Sequence, residues 1–148
     1  MDRGGEGVKP LVLEYAKSFY GVLYRWGGAS PKGIDCSGLV VELLISGGVL
    51  PNGFDTTAQG LYGKYAKEWP VLLYPVPGAV NFYGKSLERI SHVSFCMDNS
   101  LCIEAGGGDS ETRTPEDAAL KGAFVRLRPI KYRKDYLLTL MPQYPVDK

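Results

Sequence analysis

The chain has 148 residues, 22% of them charged and 45% hydrophobic, the mix of one ordinary globular domain and not of a disordered segment. Seventeen basic residues against 16 acidic ones leave a formal net charge of +1, so no basic excess exists to drive counterion release, and nucleic acid is excluded as the main partner. The longest apolar runs, such as Leu39–Ile45 with Glu42 inside it, are too short to span a bilayer, which argues against membrane insertion.

Residues 1–9, with Gly4, Gly5 and Gly7, read as a flexible arm, and residues 10–148 as a single domain. The arm has no apolar core behind its charges and so does not resemble a secretion signal; the expectation is cytoplasmic synthesis. From Pro10, the spacing of Val12, Tyr15, Ala16 and Phe19 predicts a first helix. A glycine-rich turn region covers Tyr24 to Asp35. A second helix is predicted from Cys36, burying Leu39, Val40, Leu43 and Leu44 and stopping at Gly47-Gly48, and a third over Thr56–Lys67. Strands are predicted at Ala79–Tyr83, His92–Met97 and Leu101–Ala105, the last two joined through Asp98-Asn99-Ser100. Gly106–Pro115 reads as a flexible loop, followed by strands at Ala123–Leu127 and Tyr136–Leu140. Helices first and strands afterwards predict an α+β fold, with helices packed on one face of a central antiparallel sheet.

Three residues combine into a possible reaction centre. Cys36 stands where the glycine-rich turn meets an apolar helix, and the unpaired N–H groups and positive dipole end of a helix N-terminus favour a thiolate. The plainer reading is a cysteine packed as a small hydrophobe. His92, the chain's one histidine, opens a strand and supplies the general base that a cysteine nucleophile needs. Glu104 shares a sheet face with His92 only if the turn between them has an odd number of residues, which the three-residue form Asp98–Ser100 allows. A carboxylate there can orient the imidazole; otherwise it is a solvated strand residue.

The same turn would set Cys96 opposite Cys102, which makes a cross-strand disulfide conceivable. Three cysteines without an export signal favour reduced thiols instead. A zinc site from Cys36, His92, Cys96 and Cys102 lacks a close CxxC pair, so no metal is expected. Gly106–Gly108 lacks a following Gly-Lys-Ser/Thr and leads into Asp109 and Glu111, which excludes a phosphate cradle.

The runs Tyr24-Arg25-Trp26-Gly27-Gly28, Asp35-Cys36-Ser37-Gly38-Leu39-Val40, Leu50-Pro51 and Gln59, followed by Pro77-Gly78, Ile90-Ser91-His92-Val93 and Ile103-Glu104-Ala105, resemble the NlpC-type cell-wall cysteine peptidases. The resemblance covers about Val12 to Ala105. It implies a papain-like α+β domain that hydrolyses amide bonds in bacterial peptidoglycan stem peptides, next to D-glutamate, without a cofactor. Cys36 would be the nucleophile, His92 the base and Glu104 the third member, in a slot where relatives often carry histidine. Tyr24 would lie near the thiol and help the oxyanion hole. Asp35 and Ser37 would recognise the substrate, including a free amine on the stem peptide. Gly78-Ala79 stands where relatives commonly have Gly-Asp, a structural departure.

Alternative readings are an amidase or acyltransferase with the same Cys–His machinery, a peptidoglycan-binding module without turnover, and a structural zinc protein. The expected setting is either a phage-encoded enzyme, free, bound to virion or tail proteins, or released to the wall, or a cytoplasmic enzyme trimming recycled wall peptides.

Overall fold

The computed structural model describes residues 7–30 and 32–145, so the arm expected over residues 1–9 lies largely outside the described residues. Helix α1 spans Lys9–Lys17, with Pro10 in the first turn, where its missing N–H costs no hydrogen bond. Val12 and Ala16 are buried as the spacing predicts. Tyr15 differs: it stays 37% exposed, and its hydroxyl donates to Glu42 Oε2 at 2.8 Å, tying this helix to the next.

Helix α2, Cys36–Ser46, is the centre of the core. Asp35 stands at its N-cap in extended backbone, and its Oδ1 accepts from the Gly38 N–H at 2.7 Å. Leu39, Val40, Leu43 and Leu44 are fully buried, each contributing about 1.5–3 kcal/mol by the usual transfer scale. Helix α3, Ala58–Tyr65, is shorter than expected because the Thr57 side chain caps Gly60 and starts it two residues later.

Five antiparallel strands form one sheet: β3 (Val80–Gly84), β4 (Ile90–Cys96), β5 (Leu101–Gly106), β6 (Phe124–Pro129) and β7 (Tyr136–Leu140), in the order β6-β5-β4-β3-β7. Val80, Phe82, Val93, Phe95 and Ile103 share a core with α2 and α3, so the helices cover one face. The fold is α+β, as the element order predicts. The opposite face carries Asn81, Tyr83, His92, Ser94, Cys102 and Glu104, all buried, by the alternation of the strands. Its polar groups satisfy one another: Asn81 Nδ2 donates to Ser94 Oγ at 3.0 Å, Thr139 Oγ1 to Asn81 Oδ1 at 2.7 Å, and Tyr83 OH to the Ile130 carbonyl at 2.7 Å.

Two elements were not foreseen. A two-residue hairpin, β1 (Ala29–Ser30) with β2 (Gly33–Ile34), forms inside the glycine-rich turn region. Helix α4, Pro115–Lys121, follows the loop directly and takes Pro115 from it. Thr114 and Asp117 make a reciprocal capping box, and Gly122 ends the helix in the left-handed conformation at φ 64°. Among the described residues no helix is long and apolar enough to cross a membrane.

Candidate active site

The hairpin between β4 and β5 fixes the first relationship. Cys96 pairs with Cys102 and Phe95 with Ile103, the register of a three-residue turn at Asp98–Ser100. Asp98 Oδ1 stabilises that turn by accepting from the Ser100 and Leu101 N–H groups at 2.8 and 2.7 Å. His92 and Glu104 therefore lie on one face as diagonal neighbours, and His92 Nε2 meets Glu104 Oε1 at 2.7 Å. Both side chains are almost wholly buried, at 6% and 0% exposure.

With Nε2 taken by Glu104, Nδ1 is the ring nitrogen left for the Cys36 thiol. Burial opposes a charge on His92, yet hydrogen bonding and charge attraction from Cys36 and Glu104 raise its pKa from 6.5 to about 9. Glu104 is also pushed up by burial, but His92, the Tyr132 hydroxyl and the Arg128 guanidinium together hold it below the ordinary carboxylate range. Tyr132 OH lies 2.9 and 2.8 Å from the two carboxylate oxygens, and Arg128 Nε lies 3.9 Å from Oε2. Ring and carboxylate are thus poised as an ion pair, with Cys36 half-buried beside them at the first position of α2.

Glycines let the loops close tightly around the thiol. A side chain on Gly38 would strike the Gly28 carbonyl, and one on Gly28 would strike the Gly33 carbonyl. This close approach lets the Asp35 N–H donate to the Gly28 carbonyl at 3.1 Å and sets the start of α2 against the turn. Asp35 is engaged within the protein: besides capping Gly38, its Oδ2 accepts from the Gly27 N–H at 2.8 Å and its Oδ1 from Ser37 Oγ at 3.3 Å. Gln59 acts from α3, donating to the Leu87 carbonyl and accepting from the Ile90 N–H at 2.9 and 2.7 Å, which pins the start of β4 two residues before His92.

A cleft of about 760 Å³ opens over this group. Tyr24, Asp35, Cys36, Ser37 and His92 line it together with Trp26, Asp55, Gly106–Asp109 and Arg133, while Glu104 is buried and joined to the lining through its bond to His92. Tyr24 is 4% exposed, and burial plus the nearby Cys36, Asp35 and Asp109 push its pKa well above the usual phenol range. Its hydroxyl is therefore protonated at neutral pH, and it lines the same cleft as Cys36. Its ring packs so closely on Gly108 that any side chain there would collide with it.

Cys96 and Cys102 stand apart from this centre as buried free thiols. Burial raises them to about 12 and about 11, and Cys96 Sγ donates to Asn81 Oδ1 at 3.2 Å. Among the described residues no group of three or more His, Cys, Asp or Glu gathers as a metal site, so the zinc set considered from the sequence is not assembled. Sequence reasoning missed Tyr132, Arg128, Arg133 and Asp55. The first three lie in the run Arg128-Pro-Ile-Lys-Tyr-Arg133, which has no periodicity or spacing to mark it as more than a solvated turn.

The NlpC/P60 family model matches residues 21–128. Probable endopeptidases of Mycobacterium tuberculosis and Mycobacterium bovis are each 40% identical over 105 residues, covering 69% of this chain and 24% of theirs. The chain thus spans about a quarter of the length of these curated relatives. Among solved structures, NlpC1 from Trichomonas vaginalis superposes with a TM-score of 0.69 at 17% identity, over 97% of this chain and 47% of that one. The peptidoglycan hydrolase RipB from Mycobacterium tuberculosis gives 0.65 at 21% identity, over 98% and 69%. Identities this low speak for a shared fold.

Proposed function

This chain belongs to the NlpC/P60 family, and from that premise we propose that it is a cysteine peptidase cutting amide bonds in bacterial peptidoglycan stem peptides, next to D-glutamate. The observation that carries the reading is the His92 imidazole, held at 2.7 Å by a fully buried carboxylate and facing a thiol at a helix N-terminus within an open cleft. A buried histidine kept for packing alone would not need a buried glutamate held in its charged form by a tyrosine hydroxyl and a nearby arginine.

In this mechanism the Cys36 thiolate attacks the amide carbonyl, forming the C–S bond and a tetrahedral oxyanion. The Cys36 backbone N–H, at the first helical position and without an intrahelical partner, and the Tyr24 hydroxyl of the same cleft would donate to that oxyanion. The His92 imidazolium gives its proton to the leaving amine. The C–N bond breaks and the amine departs. The neutral imidazole left behind then takes a proton from the water that attacks the thioester, which releases the acyl group as a carboxylic acid and restores the Cys36 thiolate and the imidazolium. Glu104 keeps the ring oriented and its charge compensated throughout.

The test is mass spectrometry of purified stem peptides and of intact sacculi incubated with the protein and with Cys36→Ala. Cleavage that disappears in the variant supports the reading and names the bond. Loss of sacculi points to wall lysis; loss of soluble peptides alone points to trimming of released fragments. A reactive Cys36 that cleaves neither substrate would redirect the assignment to acyl transfer.

A further inference from the structure

We infer that the basic surface formed by β6 and the turn after it docks the protein on a linear phosphodiester polymer of the bacterial wall. The net charge of +1 conceals a strong polarity. Six of the 17 basic residues, Lys121, Arg126, Arg128, Lys131, Arg133 and Lys134, fall within residues 121–134, and no acid does. The remaining eleven share the rest of the chain with all 16 acids.

The fold brings most of this run to one face. Arg126 and Arg128 pair across the sheet with Glu104 and Cys102, so they stand on the face opposite the helices. The Ile130 carbonyl accepts from Tyr83 OH, and Tyr132 OH bonds Glu104, which holds residues 130–132 over that same face. Lys131 and Lys134 extend from this segment as exposed side chains.

Little of the charge is spent within the protein. Among the described residues Arg126, Lys131 and Lys134 enter no ion pair, and Arg128 has only Glu104 at 3.9 Å. Arg126 Nε and Arg128 Nε are buried without a hydrogen-bond partner. What steadies these cations is aromatic: Arg126 lies over Phe124 at 3.8 Å, Arg128 over Tyr132 at 4.7 Å and Lys131 over Tyr136 at 5.3 Å. Like charges gathered without counterions repel one another and destabilise the fold, so a structural role does not account for them.

The arrangement selects the ligand. A compact anion needs donors that converge, whereas these cations are strung along a strand and a turn, as a repeating polyanion requires. The ring faces are already covered by cations, so bases have no platform on which to stack. A base-free polyol phosphate fits where a nucleic acid does not. The choice of a wall polymer rests on the peptidase reading; the charge and geometry of the surface do not.

Binding is measured with Cys36→Ala protein, so that nothing is cut. The probes are purified poly(glycerol phosphate) and sacculi, before and after hydrofluoric acid removes their phosphodiester-linked polymers. Intact sacculi should retain the protein roughly tenfold better than stripped ones, and affinity for both polymer and intact sacculi should fall as salt rises. Lys131→Gln/Lys134→Gln should lower the slope of log affinity against log salt by about 0.7 for each lysine that neutralises a phosphate. Lys64→Gln/Lys67→Gln, the same change of charge at the end of α3, should bind like the parent. Thermal unfolding checks that both pairs keep their fold, and with Cys36 restored both should hydrolyse soluble stem peptides like the parent. Equal retention on stripped and intact sacculi, binding that ignores salt, or equal losses in the two lysine pairs would overturn the docking surface. So would tighter binding, per phosphate, to DNA or to phosphatidylglycerol vesicles. Polymer binding without Cys36-dependent cleavage would overturn the peptidase reading and leave the docking surface standing.

Discussion

The Tyr132 hydroxyl bridges both carboxylate oxygens of Glu104, at 2.9 and 2.8 Å, from the turn that follows β6. Glu104 in turn holds the imidazole, so the phenol acts on the candidate base through one intermediate. Arg128 lies over the Tyr132 ring at 4.7 Å and steadies it.

Tyr132→Phe removes one of the groups that keep Glu104 ionised. The carboxyl is held below its ordinary value, so its contribution to stability is present above the unfolded-state pKa and disappears as pH falls through the folded one. Without the phenol the folded pKa rises and that loss begins at higher pH. Urea unfolding at pH 7 should show a cost of about 1–2 kcal/mol. The acid limb of kcat/KM should move toward neutrality. An unshifted acid limb would reduce Tyr132 to a packing residue.

His92 reports directly on the ion pair. Because the chain has one histidine, its ring resonances need no assignment. An NMR titration is expected to give a pKa of about 9 in the native protein. Cys36→Ala and Glu104→Gln should each lower it, since burial alone disfavours the charge. The associated stability is complete below the unfolded value of about 6.5 and is lost as pH rises through about 9. The basic limb of activity should fall in the same window. A native value near 6.5 would remove the ion pair from the mechanism.

Gly38→Ala presses a methyl group into the Gly28 carbonyl, a backbone atom that cannot rotate away. The expected cost is about 1–3 kcal/mol or more, with the start of α2 displaced and activity reduced. Gly63→Ala, at a mid-helix position of α3 with open space around it, is the control and should stabilise by about 0.5–1 kcal/mol. Thermal unfolding of the pair separates the steric effect from helix propensity. Equal behaviour of the two variants would show that the turn gives way.

Thiol labelling should modify one cysteine per native chain. Cys36 is half-buried and lines the cleft, whereas Cys96 and Cys102 are fully buried with their pKa values raised to about 12 and about 11. Two further equivalents should react once urea unfolds the protein. Three fast equivalents in the folded state would contradict the packing of the sheet's polar face.

What the sequence disclosed follows from how locally each feature is determined. Asp35-Cys36 at the head of an apolar run marks a capped helix, because the cap and the buried stripe lie within a few residues of each other. Strand parity placed His92 and Glu104 on one face because a single turn joins their strands. The partners of Glu104 are a different matter. Tyr132 lies 28 residues beyond it and comes into contact only after β6 has paired with β5 and the chain has turned back beneath the sheet. Nothing local distinguishes that tyrosine from a solvated one. Helix α4 was legible in principle, since Thr114-Pro115-Glu116-Asp117 is a capping box with proline at the first turn, but seven residues leave too short a stripe for periodicity to register. Asp35, expected to bind substrate, spends its carboxylate on the N–H groups of Gly27 and Gly38; that backbone demand is invisible until the turn is folded.

Helix α2 carries the nucleophile at its first residue and the centre of the hydrophobic core in its next two turns. Fraying at its start is resisted by the Asp35 cap, and its body cannot leave the sheet without exposing Leu39, Val40, Leu43 and Leu44. Inactivation by heat should accordingly be a single event whose half-life tracks the rate of global unfolding, with no long-lived species that is folded yet inert. The thermal lifetime of the site is then set by the core beneath it.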